Sequence, residues 1–187
     1  MNAHEPHEAA AAYNKLAKEH GWKSACYAAL TFQRPELCDL LEIWHGLIQQ
    51  DCLPGRKDLT PRLLRAHLPN VAIYERVMEG AQERYRARVM GQRFTEVLGN
   101  YIGKFFDEAM PAEQAARWQA APHAALVAQA PLRFVSRSET AGKGYITGEY
   151  LLAPLLGDDG LANTVLSCGF FGPTFQNRNA QPALGAG

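Results

Sequence analysis

Few side chains in this sequence are of types that perform chemistry, and their spacing narrows the field further. Cys26, Cys38, Cys52 and Cys168 stand 12, 14 and 116 positions apart, without the close pair that a zinc ribbon or a dithiol redox site needs. Cys26, Cys38 and Cys168 have apolar neighbours and are expected to pack as small hydrophobes. Four thiols without a pairing pattern suit a reducing compartment. His4 and His7 have a ligand-like spacing, but they lie in a polar end expected to fray. For acid–base chemistry the candidates are His123, Asp107 and Glu149, which would have to converge within hydrogen-bond reach of one substrate position. Spacing puts Asp107 and Glu149 on solvent-facing positions, which weakens that reading. Arg93, two residues after Gly91, either reaches an acidic ligand or ties its loop to a carbonyl. Arg84, Arg86 and Arg88 alternate along one face and are expected to pair with Glu75, Glu139 and Glu149 on other strands. Gly142-Lys143-Gly144 lacks the Lys-Ser or Lys-Thr of a phosphate loop and reads as a turn.

Composition removes whole classes of function. The chain has 187 residues, 47% hydrophobic and 20% charged, with 19 basic residues against 19 acidic ones. A chain of this length buries roughly 70% of its unfolded surface, so stability alone calls for neither disulfide nor metal. Zero formal net charge argues against a general nucleic acid binder, which relies on a basic excess. The longest apolar runs, such as Leu151 to Leu156, fall far short of the ~20 residues that cross a bilayer. The first residues are acidic and carry no export signal, so the expected location is the cytoplasm.

The elements that must position these groups follow from periodicity. Residues 8 to 20 place Ala9, Tyr13, Leu16 and Ala17 on one stripe and stop at Gly21, which predicts an amphipathic entrance helix. Residues 22 to 33 are ambiguous between helix and strand. Leu37, Leu40, Leu41, Trp44, Leu47 and Ile48 recur at helical spacing from Pro35 to about Gln50. A proline-pinned connection, Leu53 to Pro61, leads to a short helix near Pro61 to His67. Val71 to Val77 and Arg84 to Val89 form a predicted hairpin with Tyr85, Ala87 and Val89 on one face. Short helices near Arg93 to Leu98 and Phe105 to Glu108 follow. Then comes a long helix from Pro111 to about Gln129, which Pro122 should kink or split. Leu132 to Ser138, Tyr145 to Leu152 and Ala162 to Phe171 read as three further strands. The tail from 174 to 187 has no apolar periodicity and is expected to be disordered.

The order two strands, small helices, long helix, three strands is that of a PAS domain. Several segments sharpen the likeness: Ile43-Trp44-His45, Leu53-Pro54-Gly55-Arg56-Lys57-Asp58 with Pro61, Leu68-Pro69-Asn70, Arg84-Tyr85-Arg86, Met90-Gly91-Gln92-Arg93 and Leu98-Gly99-Asn100-Tyr101-Ile102-Gly103. Together they resemble a bacterial PAS-like family over about residues 36 to 172. The resemblance implies an α+β fold: a five-stranded antiparallel sheet with a helical insert after strand two, preceded by N-terminal helices. The expected division is an N-terminal extension, 1–34, and a PAS-like unit, 35–173. It further implies a sensory or interaction role in bacterial signalling without implying enzymatic activity, and because the PAS-like unit takes up almost the whole chain, output is expected to come from a protein partner.

The same architecture suggests where a ligand would sit. Tyr85, Phe134, Tyr150 and Leu166 are on strand positions that face the insert, while Phe94, Tyr101, Phe106 and Trp118 come from the insert itself. With Arg93 and His123 these form the candidate ligand-binding set. Converging aromatics make either a solid core or an apolar pocket, and the sequence does not separate the two. Haem through His123 is a minor option, since a histidine beside a kink more often bonds a freed carbonyl. Flavin–thiol photochemistry is disfavoured, because the insert reads Gln92-Arg93-Phe94-Thr95-Glu96 without a reactive cysteine. Two functions remain: a module binding a small, largely apolar ligand or a protein partner, and a small enzyme using acid and base groups in a cone-shaped pocket. A homodimer is expected through the entrance helix and through Val135, Ile146 and Val165, unless the helix from Leu37 to Ile48 covers them.

Overall fold

The computed structural model describes residues 5–140 and 144–172. His4, Glu139, Ile146, the Gly142-Lys143 turn and the tail from 174 onward lie outside the residues whose placement or side chains are described. The elements in chain order are helix α1 (Glu5–Glu19), strand β1 (Ser24–Tyr27), α2 (Pro35–Gly46), β2 (Val71–Glu79), β3 (Gln82–Met90), α3 (Gln92–Leu98), α4 (Phe106–Ala109), α5 (Ala112–Ala128), β4 (Leu132–Thr140), β5 (Gly144–Leu156) and β6 (Ala162–Gly172). Glu5 and Glu8 in the first turn of α1 suit the positive end of the helix, so α1 begins before His7 and takes it in. Residues 61–67 form successive turns and no helix. Pro122 neither ends nor divides α5.

The strands form one antiparallel sheet in the order β1-β4-β5-β6-β2-β3. All five expected strands are present, and the ambiguous segment after Gly21 supplies a sixth, β1, paired with β4 from Ser24↔Ser136 to Tyr27↔Arg133. Hairpin β2–β3 turns through Gly80 at φ +63°, a conformation glycine adopts without steric cost.

The alternation of side chains separates two cores. On one face Tyr74, Phe134, Leu152 and Val165 pack under α1, α3, α4 and α5; on the other Ile73, Leu151, Leu155 and Leu166 pack under α2. Three expectations change here. Leu166 lies on the α2 face and Val165 on the insert face, so the phase of β6 is the reverse of the expected one. Val89 sits with Ile73 on the α2 face, because Ile73↔Val89 is followed by Tyr74↔Ala87 and the skipped Arg88 is a bulge that inverts the alternation. The entrance helix α1 joins the insert side, packing on α5 and β1, so the N-terminal residues belong to the same core.

The motif segments prove to be joints. A Cβ on Gly91 would strike the backbone oxygens of Leu68 and Pro69, so this close approach admits only glycine. The Pro54 carbonyl accepts from Leu156 N at 2.9 Å, and Asp58 Oδ2 accepts from Gly55 N at 2.9 Å, which pins the proline-rich connection to the end of β5. Trp44 Nε1 donates to the Pro154 carbonyl at 3.0 Å, fastening α2 to the same strand.

Candidate functional site

Between α5, α1 and the sheet lies a cavity of about 310 Å³. Its size is at the lower end of ligand pockets. Helix α5 contributes Gln114, Arg117, Trp118 and Ala121, which at spacings of three and four share one face, together with Pro122. Strands supply Tyr74, Phe134, Ser136, Tyr150, Leu152 and Ser167 from alternate positions of β2, β4, β5 and β6. Val97, Leu98 and Tyr101 close one side, and Tyr13 of α1 with Ser24 of β1 close another.

Aromatic packing holds the walls. Tyr13 meets Phe134 edge-to-face at 5.0 Å between ring centroids, and Tyr150 meets Phe171 at 5.5 Å. Behind these, Phe94 packs on Phe171 at 5.5 Å, and Tyr74 on Phe106 at 5.2 Å. The Tyr150 ring occupies the space above Gly169, where an added Cβ would lie 2.6 Å from it.

The polar groups gather on one wall. Tyr13 Oη and Ser24 Oγ are 2.9 Å apart, and Ser136 Oγ donates to Tyr150 Oη at 3.2 Å. Ser24 and Ser136 are direct partners across β1 and β4, so the two hydroxyl pairs adjoin. Burial pushes the phenols of Tyr13 and Tyr150 above their ordinary range, partly offset by these hydrogen bonds and by the charge of Arg117. Both therefore remain O–H donors near neutral pH. Tyr74 is 2% exposed, and among the described residues its hydroxyl has no partner that meets hydrogen-bond geometry; burial pushes this phenol far above its usual value. Among the described residues the lining contains no Asp, Glu, His, Lys or Cys.

Of the ten residues singled out from sequence, Tyr101, Trp118, Phe134 and Tyr150 line the cavity. Phe94 and Phe106 are buried behind its wall. Tyr85 is buried with its hydroxyl on Glu83 at 2.5 Å, and His123 Nδ1 bonds the same carboxylate at 2.7 Å on the outer side of α5. His123 thus faces away from the cavity, and its side chain is 53% exposed. Arg93 is at the surface, paired with Glu96 at 3.0 Å. Leu166 lies across the sheet.

The expectation that Glu149 faces solvent fails: it is 1% exposed. Its carboxylate accepts from Arg133 Nε at 2.7 Å and from the backbone N–H groups of Gln33 and Arg34 at 3.0–3.1 Å, at the start of α2. Arg84 stays on the surface network as expected, but its acids are Glu79, Asp107 and Glu108. Arg86 pairs with Glu75 at 2.6 Å.

Among the lining residues that sequence reasoning passed over are Tyr13, Ser24, Tyr74, Arg117, Ser136 and Ser167. Two carried a signal. Period two places Ser136 beside Phe134, and Tyr13 lies on the apolar stripe of α1.

A sheet carrying a helical insert on one face, with a cavity between them, defines an α+β module of the PAS type. A family model described as a PAS domain matches residues 32–169, and the chain belongs to that family. No curated protein matches it. Among solved structures it is similar to one titled "Structure of an RNA-binding Light-Oxygen-Voltage Receptor", at 15% identity and a TM-score of 0.44. The similarity covers 80% of this chain and 38% of that one, so this chain spans about two fifths of that protein's length.

Proposed function

We propose that the domain is a sensory module in bacterial signalling that binds a small, largely apolar molecule in the cavity beneath α5 and relays its presence to a protein partner. The observation that carries this reading is the cavity itself: Tyr101, Trp118, Phe134 and Tyr150 surround about 310 Å³, while Phe94 and Phe106 pack behind them. Tyr13 places α1 in direct contact with that space, while α1 also docks on α5 and β1. A ligand that repacks Tyr13 therefore biases the position of α1, which gives the signal a route outward. The alternative, acid–base catalysis, needs titrating groups around the cavity. His123 and Asp107 lie outside its lining, and Glu149 is buried on the α2 face. Cytoplasmic location and a homodimer belong to the same proposal. No helix among the described residues is long and apolar enough to cross a membrane.

Native mass spectrometry of freshly purified wild-type protein beside Ala121→Trp, whose indole fills the cavity, tests the reading. Bound mass on the wild type that is absent from the variant supports it. Clean apo protein in both, together with equal melting in a panel of small aromatic compounds, overturns it. Sedimentation of the full chain tests the dimer, and a monomer at tens of micromolar removes that part.

A further inference from the structure

Arg117 stands apart from the other arginines near the sheet. Arg76, Arg84, Arg86, Arg88, Arg93 and Arg133 all have an acidic partner within 4 Å. Arg117 is half-buried in the cavity wall and, among the described residues, has no hydrogen-bond or ion-pair partner. A half-buried guanidinium in a largely aromatic wall, with no anion paired to it among the described residues, is suited to receive an anionic ligand group. Its charge acts on the phenols of both Tyr13 and Tyr150.

The hydroxyls around it have donors to spare. The Tyr13–Ser24 contact consumes one of two O–H protons, and in the Ser136–Tyr150 bond the serine donates, which leaves the Tyr150 proton free. Gln114, one turn before Arg117 on the same face of α5, adds an amide that can donate. Cation and hydroxyls thus meet without a competing carboxylate in the lining. The remaining wall, with Leu98, Trp118, Phe134 and Phe171, is apolar or aromatic. The volume equals about ten water-sized shares, room for a ligand on the order of ten to fifteen non-hydrogen atoms.

Resting on the reading of the cavity as a ligand site, we propose that it takes a small aromatic monocarboxylate, with the carboxylate on Arg117 and the Tyr13 and Tyr150 hydroxyls and the ring between Trp118 and Phe134. A neutral apolar molecule of the same shape would leave the guanidinium unmet, so charge decides the preference.

Isothermal titration of the full-length protein with naphthalene-2-carboxylate and with naphthalene-2-carboxamide separates the two. The carboxylate is expected to bind at least about tenfold more tightly, the gain of a charge-assisted bond. Arg117→Met should weaken the carboxylate about tenfold or more and leave the carboxamide within about twofold. Arg117→Lys should keep part of the preference, and Tyr150→Phe should weaken the carboxylate severalfold. Melting curves of each variant verify that it folds. Equal affinity for both probes, unchanged by Arg117→Met, overturns the charge preference and leaves the cavity reading intact. Failure of both probes to bind at millimolar concentration overturns both.

Discussion

Replacing Glu149 by Gln removes one charge from a site where its partner stays buried. Glu149 is 1% and Arg133 5% exposed, and they meet at 2.7 Å. Stranding one member of such a pair costs about 3–5 kcal/mol, mostly the penalty of the charge left behind. Gln keeps one acceptor oxygen for the Gln33 and Arg34 amides, which places the expected loss at the lower end, about 3 kcal/mol. For a domain of this size 1 kcal/mol moves the melting midpoint by about 2–4 °C, so the variant should melt roughly 6–12 °C lower. The double variant Arg133→Met with Glu149→Gln leaves no charge unpaired and should recover about 1–2 kcal/mol of that loss. Urea unfolding followed by circular dichroism reads both, and hydrogen exchange at residues 33–37 reports whether the start of α2 loosens with the carboxylate's charge gone. A loss below about 1 kcal/mol for Glu149→Gln, or a double variant less stable than the single one, would refute the argument that the buried charge pair clamps α2 to the sheet. The same change reaches the cavity from behind, because Arg133 and Glu149 alternate with Phe134 and Tyr150 along β4 and β5.

Three further outcomes are expected. Burial pushes the thiols of Cys26 and Cys168 up to about 12, so iodoacetamide at pH 8 should modify exposed Cys52 in the native protein and spare those two until the chain unfolds; peptide mapping reads this. Hydrogen bonds from Arg84 hold the Asp107 carboxyl below its usual range, so its contribution is present above about pH 4 and disappears as pH falls through the lowered value. The stability gap between wild type and Asp107→Asn, read by urea unfolding, should therefore close in acid and not in base. Tyr74→Phe removes a buried hydroxyl that, among the described residues, has no partner of hydrogen-bond geometry, and should raise stability by about 1 kcal/mol; a loss of that size would show that the hydroxyl is bonded, with Ser167 its polar neighbour.

The fold was legible wherever periodicity was unbroken and bounded by turn residues. The hairpin around Gly80, the insert after it and the three later strands all follow from alternation and glycine placement. The misreadings have local causes. One extra residue at Arg88 carries Val89 to the opposite face, and a bulge leaves no mark in a hydrophobic pattern. Leu166 was placed on the wrong face, and with a side-chain period of two a phase error of one residue exchanges the two faces. Glu149 was read as a surface acid from its spacing along β5. Its burial depends on Arg133, sixteen residues earlier, and on amides more than a hundred residues away, partners that no local window contains.

The cavity was legible in part, and the missing part is the one on which the proposed chemical preference rests. Aromatics such as Trp118, Phe134 and Tyr150 are conspicuous in any reading and do line it. An arginine next to a tryptophan on a helix is ordinary in sequence. Arg117 becomes informative only when three dimensions show that the neighbouring arginines have acidic partners while Arg117, among the described residues, meets none. The same holds for Ser24 and Ser136, unremarkable singly and adjacent only because a four-residue strand adds itself to the edge of the sheet. Strand β1 thus does more than extend the sheet. With α1 it brings hydroxyls from outside the family-matched region, which begins at residue 32, into the wall that faces Arg117. Selectivity in this domain is accordingly expected to depend on its N-terminal segment as much as on the PAS unit that the segment completes.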